Sequence, residues 1–124
     1  MEESFGKKNK LKSRKLITQL FSEGKSVNHF PLKLVYIQLR EPQEVLFKAG
    51  VSVPKRNFKR AVDRNHLKRL LREAFRKNKY LLASNLTNSY AFMFIYIGKN
   101  KEEYHNLFSG VETLLKKFVE KEIK

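Results

Sequence analysis

The sequence predicts a small α+β fold in which a strongly basic helix lies between β-strands. Helical periodicity occurs at residues 13–23, 59–78 and 102–121, and short apolar or alternating runs occur at 32–39, 45–53 and 91–97. No internal repeat or linker separates these segments. The expected architecture is a two-layer sandwich in the order α-β-β-β-α-β-α. At 124 residues, we expect one α+β domain over residues 13–124 after a basic N-terminal arm, residues 1–12.

The first helix is predicted over residues 13–23. Its apolar side chains recur at helical spacing: Leu16, Ile17, Leu20 and Phe21. Ser13 is a suitable N-cap because its side-chain oxygen can accept from a free backbone N–H. Gly24 follows the last turn, and we expect it to end the helix with a positive φ angle.

The next segments predict a pair of strands, residues 32–39 and 45–53, in which inward and outward side chains alternate. A short edge strand at residues 26–29 is expected before them, ended by Pro31. The sequence REPQE between the two strands has the composition of a turn. We therefore expect the two strands to pair as an antiparallel hairpin.

Residues 91–97, AFMFIYI, are apolar at every position. A strand of this kind is typical of the centre of a sheet that is covered on both faces. The last helix, residues 102–121, has one apolar stripe and a polar side on which Glu and Lys alternate. This helix is predicted to serve packing only.

Residues 55–79 contain eleven Lys or Arg and two acidic residues. We expect the helix here to begin near Lys59, with Asn57 as its cap, and to fray near Asn78. Its apolar stripe covers an arc of about 140° and consists of Leu67, Leu70, Leu71, Ala74 and Phe75. Cations fall at every fourth position, in one slanted row: Arg60, Arg64, Lys68, Arg72 and Arg76.

This row favours a polyanion-binding surface over a merely solvated one. A solvated helix face would alternate Glu with Lys, as the last helix does, whereas like charges four residues apart destabilise a helix. The formal charge of +15 and the pI of about 10.1 also predict a polyanion partner. Nucleic acid is the first candidate and an anionic membrane surface the second. A membrane-surface helix would keep its apolar face free for lipid, whereas the strands here need that face as cover.

The absence of cysteine, of an apolar leader and of a membrane-length apolar run leads us to expect a cytoplasmic protein with no membrane partner. Nothing indicates a DNA-binding helix pair or a dimerisation element, so no DNA partner and a monomeric protein are expected.

Catalytic and metal-binding residues are not expected. The chain has one Asp, Asp63, and its three histidines, His29, His66 and His105, belong to different predicted elements. Hydrolysis of a phosphodiester by metal ions requires clustered carboxylates. Aromatic residues could instead stack on RNA bases, and four are considered for this role: Phe21, Phe30, Tyr36 and Phe58. Aromatic residues at strand and helix spacing usually pack in the core, so a core position is expected for any one of them. Phe58 stands out because it lies outside any apolar stripe.

Residues 61–76, AVDRNHLKRLLREAFR, resemble the signature of the protein subunit of bacterial ribonuclease P. The resemblance continues in AGVSVPKR, residues 49–56, and in LKSRKLITQLFSEGKSV, residues 11–27. It implies that a separate RNA is the catalyst and that the protein helps it remove the 5′ leader of precursor tRNA. It also implies Mg²⁺ bound mainly by the RNA, and a left-handed β-α-β crossover, opposite to the general rule.

The resemblance assigns residues to two surfaces. Contacts with the catalytic RNA are expected from Lys55, Arg56, Arg60, Arg64, Asn65, Lys68, Arg69, Arg72 and Arg76. A cleft between the first helix and the sheet is expected to hold the leader and to be lined by Lys12, Ile17, Phe21 and Tyr36. The chain departs from the family pattern where His66 replaces a usual Arg and where Ile17 replaces a frequent aromatic residue. The alternative is a ribosomal or other structural RNA-binding protein of similar fold with no role in cleavage.

Overall fold

A computed structural model describes residue 11, residues 13–39 and residues 46–123. The predicted α+β class and element order are confirmed, with one short helix added before the last strand. The elements are α1 (Arg14–Glu23), β1 (Lys25–His29), β2 (Leu32–Gln38), β3 (Phe47–Ser52), α2 (Ala61–Asn78), α3 (Tyr80–Ala83), β4 (Tyr90–Tyr96) and α4 (Tyr104–Glu122). Of the predicted arm, residues 1–12, only Leu11 is among the described residues.

The four strands form one sheet in the order β1-β2-β4-β3. β4 pairs antiparallel with β2 and parallel with β3. The predicted hairpin between the second and third strands is therefore wrong, because β4 lies between them. Six of the seven β4 residues are buried. Only an internal position gives so apolar a strand hydrogen-bonded neighbours on both edges and cover on both faces.

The β3–α2–β4 crossover is left-handed. Tyr90 lies on the α2 face of β4, and its N–H donates to the carbonyl oxygen of Leu46, just before β3, at 3.0 Å. When an L-residue in an upward-running strand has its side chain towards the viewer, its N–H points to the right. Seen from the α2 side, β3 thus lies to the right of β4. The chain moves leftwards from β3 to β4, opposite to the general preference.

The main core lies between the sheet and the helices α2 and α4. Phe118 of α4 is fully buried, and its ring lies within about 5 Å of the rings of Tyr36, Tyr90 and Phe92. From α2, the ring of Phe75 contacts those of Phe47 and Phe94. Burial of one large apolar side chain contributes about 1.5–3 kcal/mol. The α2 stripe predicted from the sequence is confirmed as the surface that anchors this helix.

A smaller core lies on the opposite face of the sheet, under α1. It consists of Leu20, Val35, Ala91 and Met93. The predicted N-cap is confirmed, since the backbone N–H of Leu16 donates to the Ser13 hydroxyl oxygen at 3.2 Å.

The predicted positive φ at Gly24 is wrong, because its φ is −70°. Glycine is required there by a close approach: an added Cβ would lie 2.2 Å from the Leu20 carbonyl oxygen and 2.9 Å from Val35 Cγ1. Packing of the helix end onto β2 therefore explains this glycine.

Candidate nucleic-acid interface

The orientation of α2 follows from its buried side. Leu67, Leu71, Ala74 and Phe75 are all fully buried against the sheet and α4. The opposite side of the helix therefore faces outward, and it exposes polar and cationic side chains: Asn65, His66, Arg69, Arg72 and Lys77. A rigid core thus presents a cationic surface.

The start of α2 differs from the prediction. The helix begins at Ala61, with Arg60 at the N-cap position and no side-chain cap bond. Asn57 belongs to the preceding turn, in which its N–H donates to the Pro54 carbonyl oxygen at 3.2 Å. Lys55 and Arg56 are exposed in that turn.

Arg64 holds the start of the helix in place. A four-residue interval advances by about 40° around a helix, so Arg64, two intervals before Arg72, lies about 80° closer to the core side. Arg64 is accordingly half-buried. Its guanidinium Nη1 donates to the carbonyl oxygens of Phe58 at 2.7 Å and Lys59 at 2.9 Å. This predicted RNA contact is therefore also a structural residue.

Arg76, at the other end of the row, forms an ion pair with Glu73. Its Nε donates to Glu73 Oε2 at 3.0 Å, and its Nη2 contacts Oε1. The hydrogen bond from Arg76 holds the pKa of the Glu73 carboxyl below its ordinary value. The positive charge of Arg76 is thus largely compensated on the helix itself.

The centre of the row carries the uncompensated charge. Within the part of the chain that the structure describes, Lys68, Arg69 and Arg72 form no ion pair. The three residues lie within an arc of about 100° and one turn of each other. Because like charges so close repel each other, an anion bound between them gains from all three.

The first turn of α2 is also tied to the β4–α4 connection. Lys101 Nζ lies 2.7 Å from Asp63 Oδ1. The hydrogen bond from Lys101 lowers the pKa of the Asp63 carboxyl, and nearby Arg60 and His66 lower it further. The negative charge of Asp63 is thus compensated, and it does little to offset the cationic row.

The aromatic residues considered for stacking divide between core and surface. Phe58 is buried, and its ring packs edge-on against the ring of Tyr96, with the two ring centroids 5.5 Å apart. The core position expected for any one of these residues is thus confirmed for Phe58, because the turn before α2 folds it back onto β4. Phe21 is 54% exposed and Phe30 73% exposed.

The structure describes three of the four residues that were predicted to line the leader cleft. Ile17 is half-buried and Phe21 lies one turn further along α1, on the sheet face that α1 crosses. Tyr36 is only 1% exposed and lies in the main core on the other face. Its placement in the cleft is wrong, since alternation along β2 turns Val35 and Ile37 towards α1 instead. Lys12 lies outside the described residues.

Tyr36 instead contributes to the packing of the C-terminal end of α4. Its hydroxyl donates to Glu122 Oε2 at 3.0 Å. Burial raises the pKa of Tyr36, and this hydrogen bond raises it further. The sequence pattern already indicated this position. Tyr36 lies at two-residue spacing from Leu34 and Leu32, so all three side chains share the strand face that packs on the main core.

Among the described residues, no group of three or more His, Cys, Asp or Glu side chains is arranged to hold a metal ion. None of the described helices combines the length and the apolar character needed to cross a membrane.

Comparison with known proteins identifies the family. The family model described as Ribonuclease P matches residues 5–119. The ribonuclease P protein component of Porphyromonas gingivalis is 45% identical over 76 residues, which cover 61% of this chain and 56% of that relative. The one from Caldanaerobacter subterraneus subsp. tengcongensis is 38% identical over 113 residues, or 90% of each protein.

Solved structures show the same fold. The RNase P protein of Staphylococcus aureus superposes with a TM-score of 0.70 at 22% identity, covering 89% of this chain and 94% of that one. An RNase P protein structure from Thermotoga maritima gives 0.63 at 26% identity, covering 93% and 100%. The matched segment spans little more than half of the P. gingivalis relative, but the family model covers most of this chain. The chain therefore belongs to the ribonuclease P protein family.

Proposed function

We propose that this chain is the protein component of ribonuclease P, which acts with a catalytic RNA to remove the 5′ leader of precursor tRNA. The observation that carries the proposal is the group Lys68, Arg69 and Arg72, which forms no ion pair with any described residue and lies on a helix whose other side packs against the core. Arg suits this role because its planar guanidinium can bind phosphate through two hydrogen bonds.

Catalysis is assigned to the RNA subunit. The only Asp of the chain, Asp63, is engaged by Lys101, and Glu73 is engaged by Arg76. Carboxylates held by cations in this way are poor ligands for the metal ions of phosphodiester hydrolysis. Mg²⁺ accordingly belongs mainly to the RNA in this proposal. The partners are ribonuclease P RNA and precursor tRNA, and the site of action is the cytoplasm.

The leader is assigned to the face of the sheet that α1 crosses. Phe21 offers an exposed ring there, and Ile17 and Ile37 offer half-buried apolar surface. Unpaired bases bind such surfaces by stacking and apolar contact, with little dependence on sequence. This surface lies on the opposite side of the sheet from α2, so the two RNA contacts are spatially separate.

Reconstitution tests the proposal. The protein is mixed with a bacterial ribonuclease P RNA and a precursor tRNA at low magnesium, and 5′ leader cleavage is measured against RNA alone. We expect the protein to increase cleavage strongly. Equal cleavage with and without the protein would refute the assignment. Protein freed of RNA that still cleaves the substrate with magnesium would instead indicate a protein-only nuclease.

A matched pair of variants tests the surface. Arg69→Ala/Arg72→Ala removes two free cations from α2, whereas Lys116→Ala/Lys121→Ala removes two exposed cations from α4. Each lost phosphate contact reduces the slope of log affinity against log salt by about 0.7 to 0.9. The α2 variant should therefore lose about 1.4 to 1.8 units of slope for ribonuclease P RNA. Equal losses in both variants would show that charge alone, and not this surface, binds the RNA.

The alternative function, a ribosomal or other structural RNA-binding protein, predicts a different partner. Sequencing of the RNA that copurifies from cells separates the two, because ribosomal RNA as the main species would favour the alternative.

A further inference from the structure

We propose that Tyr80 is a stacking site for an unpaired RNA base, placed just beyond the C-terminal end of the cationic surface of α2. The inference deepens the proposed function and rests on it, since it assigns a further contact to the same RNA. The side chain of Tyr80 is 54% exposed.

Tyr80 follows α2 on the same side of the molecule as the cations. One residue, Lys79, separates α2 from α3, and its backbone angles are right-handed helical, φ −63° and ψ −18°. The fully buried residues Phe75, Asn78 and Leu82 keep helical spacing across this break. This spacing places Tyr80 about one turn beyond Arg76 and about 12 Å along the axis from Arg72. At about 100° per residue, Tyr80 lies within roughly 20° of Arg69 around the helix axis.

The backbone that presents this ring is firmly held. The buried side chain of Asn78 donates from Nδ2 to the carbonyl oxygens of Ala74 at 3.0 Å and Phe108 at 3.3 Å. The Tyr80 carbonyl oxygen accepts from the backbone N–H and the hydroxyl of Ser84, at 3.0 and 2.8 Å. Leu82, two residues on, is fully buried. A rigid support lowers the entropy lost when a base binds.

Packing does not account for the exposed ring. Each of the other four tyrosines contacts another aromatic ring, in the pairs Tyr36–Phe118, Tyr90–Phe92, Phe58–Tyr96 and Tyr104–Phe108. Tyr80 has no such contact with any residue that the structure describes. The ring is available to an external partner.

The surroundings select RNA as that partner. Single-stranded nucleic acid binds where cations follow its phosphates and aromatic rings stack on its bases. Arg69 and Arg72 supply the cations, the exposed Lys77 adds another, and Tyr80 supplies the ring. An unpaired nucleotide next to a phosphate bound at Arg72 therefore finds both kinds of contact within one helical face.

A single tryptophan tests the contact directly. The chain contains no Trp, so Tyr80→Trp places the only tryptophan at the proposed site. Its fluorescence should fall on addition of ribonuclease P RNA because a stacked base quenches the indole. The matched control is Lys116→Trp, at an exposed position on α4. Unchanged Tyr80→Trp fluorescence in RNA-bound protein, or equal quenching in both variants, would overturn the proposal.

Affinity measurements separate stacking from charge. Tyr80→Ala should weaken binding to ribonuclease P RNA about tenfold, as expected for one lost base stack. Tyr80→Phe should stay close to wild type. Binding to polyphosphate, which has no bases, should be the same in all three proteins. An equal loss for polyphosphate, or no loss for RNA, would refute the stacking role. Wild-type protein that fails to bind the RNA at all would refute the proposed function itself.

Discussion

Replacement of Arg64 by Ala should lower both the stability of the fold and its RNA affinity, whereas Arg72→Ala should lower only the RNA affinity. Arg64 donates two charge-assisted hydrogen bonds to the carbonyl oxygens of Phe58 and Lys59. Hydrogen bonds to charged groups contribute about 1.5–3 kcal/mol each, and one of these two is exposed, so we expect a loss of about 2 kcal/mol. The exposed Arg72 forms no such bond, and its removal should change the free energy of unfolding by less than about 0.5 kcal/mol.

Thermal unfolding measures the difference. For a chain of this size 1 kcal/mol corresponds to roughly 3–5 °C, so Arg64→Ala should lower Tm by about 6–10 °C. Arg64→Lys is the control, because it keeps the charge but lacks the planar group that reaches both carbonyls. It should recover the salt dependence of RNA binding without recovering Tm. If Arg64→Ala melts within about 1 °C of wild type, the structural role of this side chain is refuted.

Three further predictions concern other parts of the molecule. Gly24→Ala should destabilise the protein by about 1–3 kcal/mol, because its Cβ would meet the Leu20 carbonyl oxygen; an unchanged urea midpoint would contradict this. Lys101→Met should destabilise the protein at neutral pH. The pKa of the Asp63 carboxyl is lower in the folded protein than its ordinary value of 3.8. The stabilisation by the Lys101–Asp63 ion pair is therefore complete above pH 3.8 and is lost as the pH falls through the pKa of the folded state. Urea titrations at pH 7 and at about pH 2 should therefore differ between variant and wild type only at pH 7; a difference that persists in acid would exclude the ion pair as its cause. His66→Arg adds a cation to the exposed side of α2 and should steepen the salt dependence of RNA binding by about 0.7 to 0.9; an unchanged slope would place His66 outside the RNA contact.

Local patterns predicted the helices well. The stripe of Leu67, Leu71 and Phe75 was visible because a helix repeats every 3.6 residues, and all three are fully buried. Ser13 was identified as an N-cap because the cap bond joins residues three apart in sequence. Interactions of this range depend on neighbouring residues alone, so the sequence is sufficient for them.

Contacts between distant segments were predicted less well. The hairpin expected between β2 and β3 does not form, because β4, which follows α2 and α3 in the chain, inserts between them. Phe58 lay outside every periodic pattern, yet the fold buries it against Tyr96. No local rule encodes either pairing.

The amphipathic character of α2 and its dense cationic side can be predicted without a structure, because periodicity and charge are properties of the segment alone. Which of its cations remain available to RNA depends on the fold. The turn before the helix brings two carbonyl oxygens to Arg64, whereas Lys68, Arg69 and Arg72 form no ion pair with any described residue. Whether a cation is engaged or available depends on which acceptor atoms the fold brings within about 3 Å of its charged group. A distance of that kind is set by the packing of the whole chain.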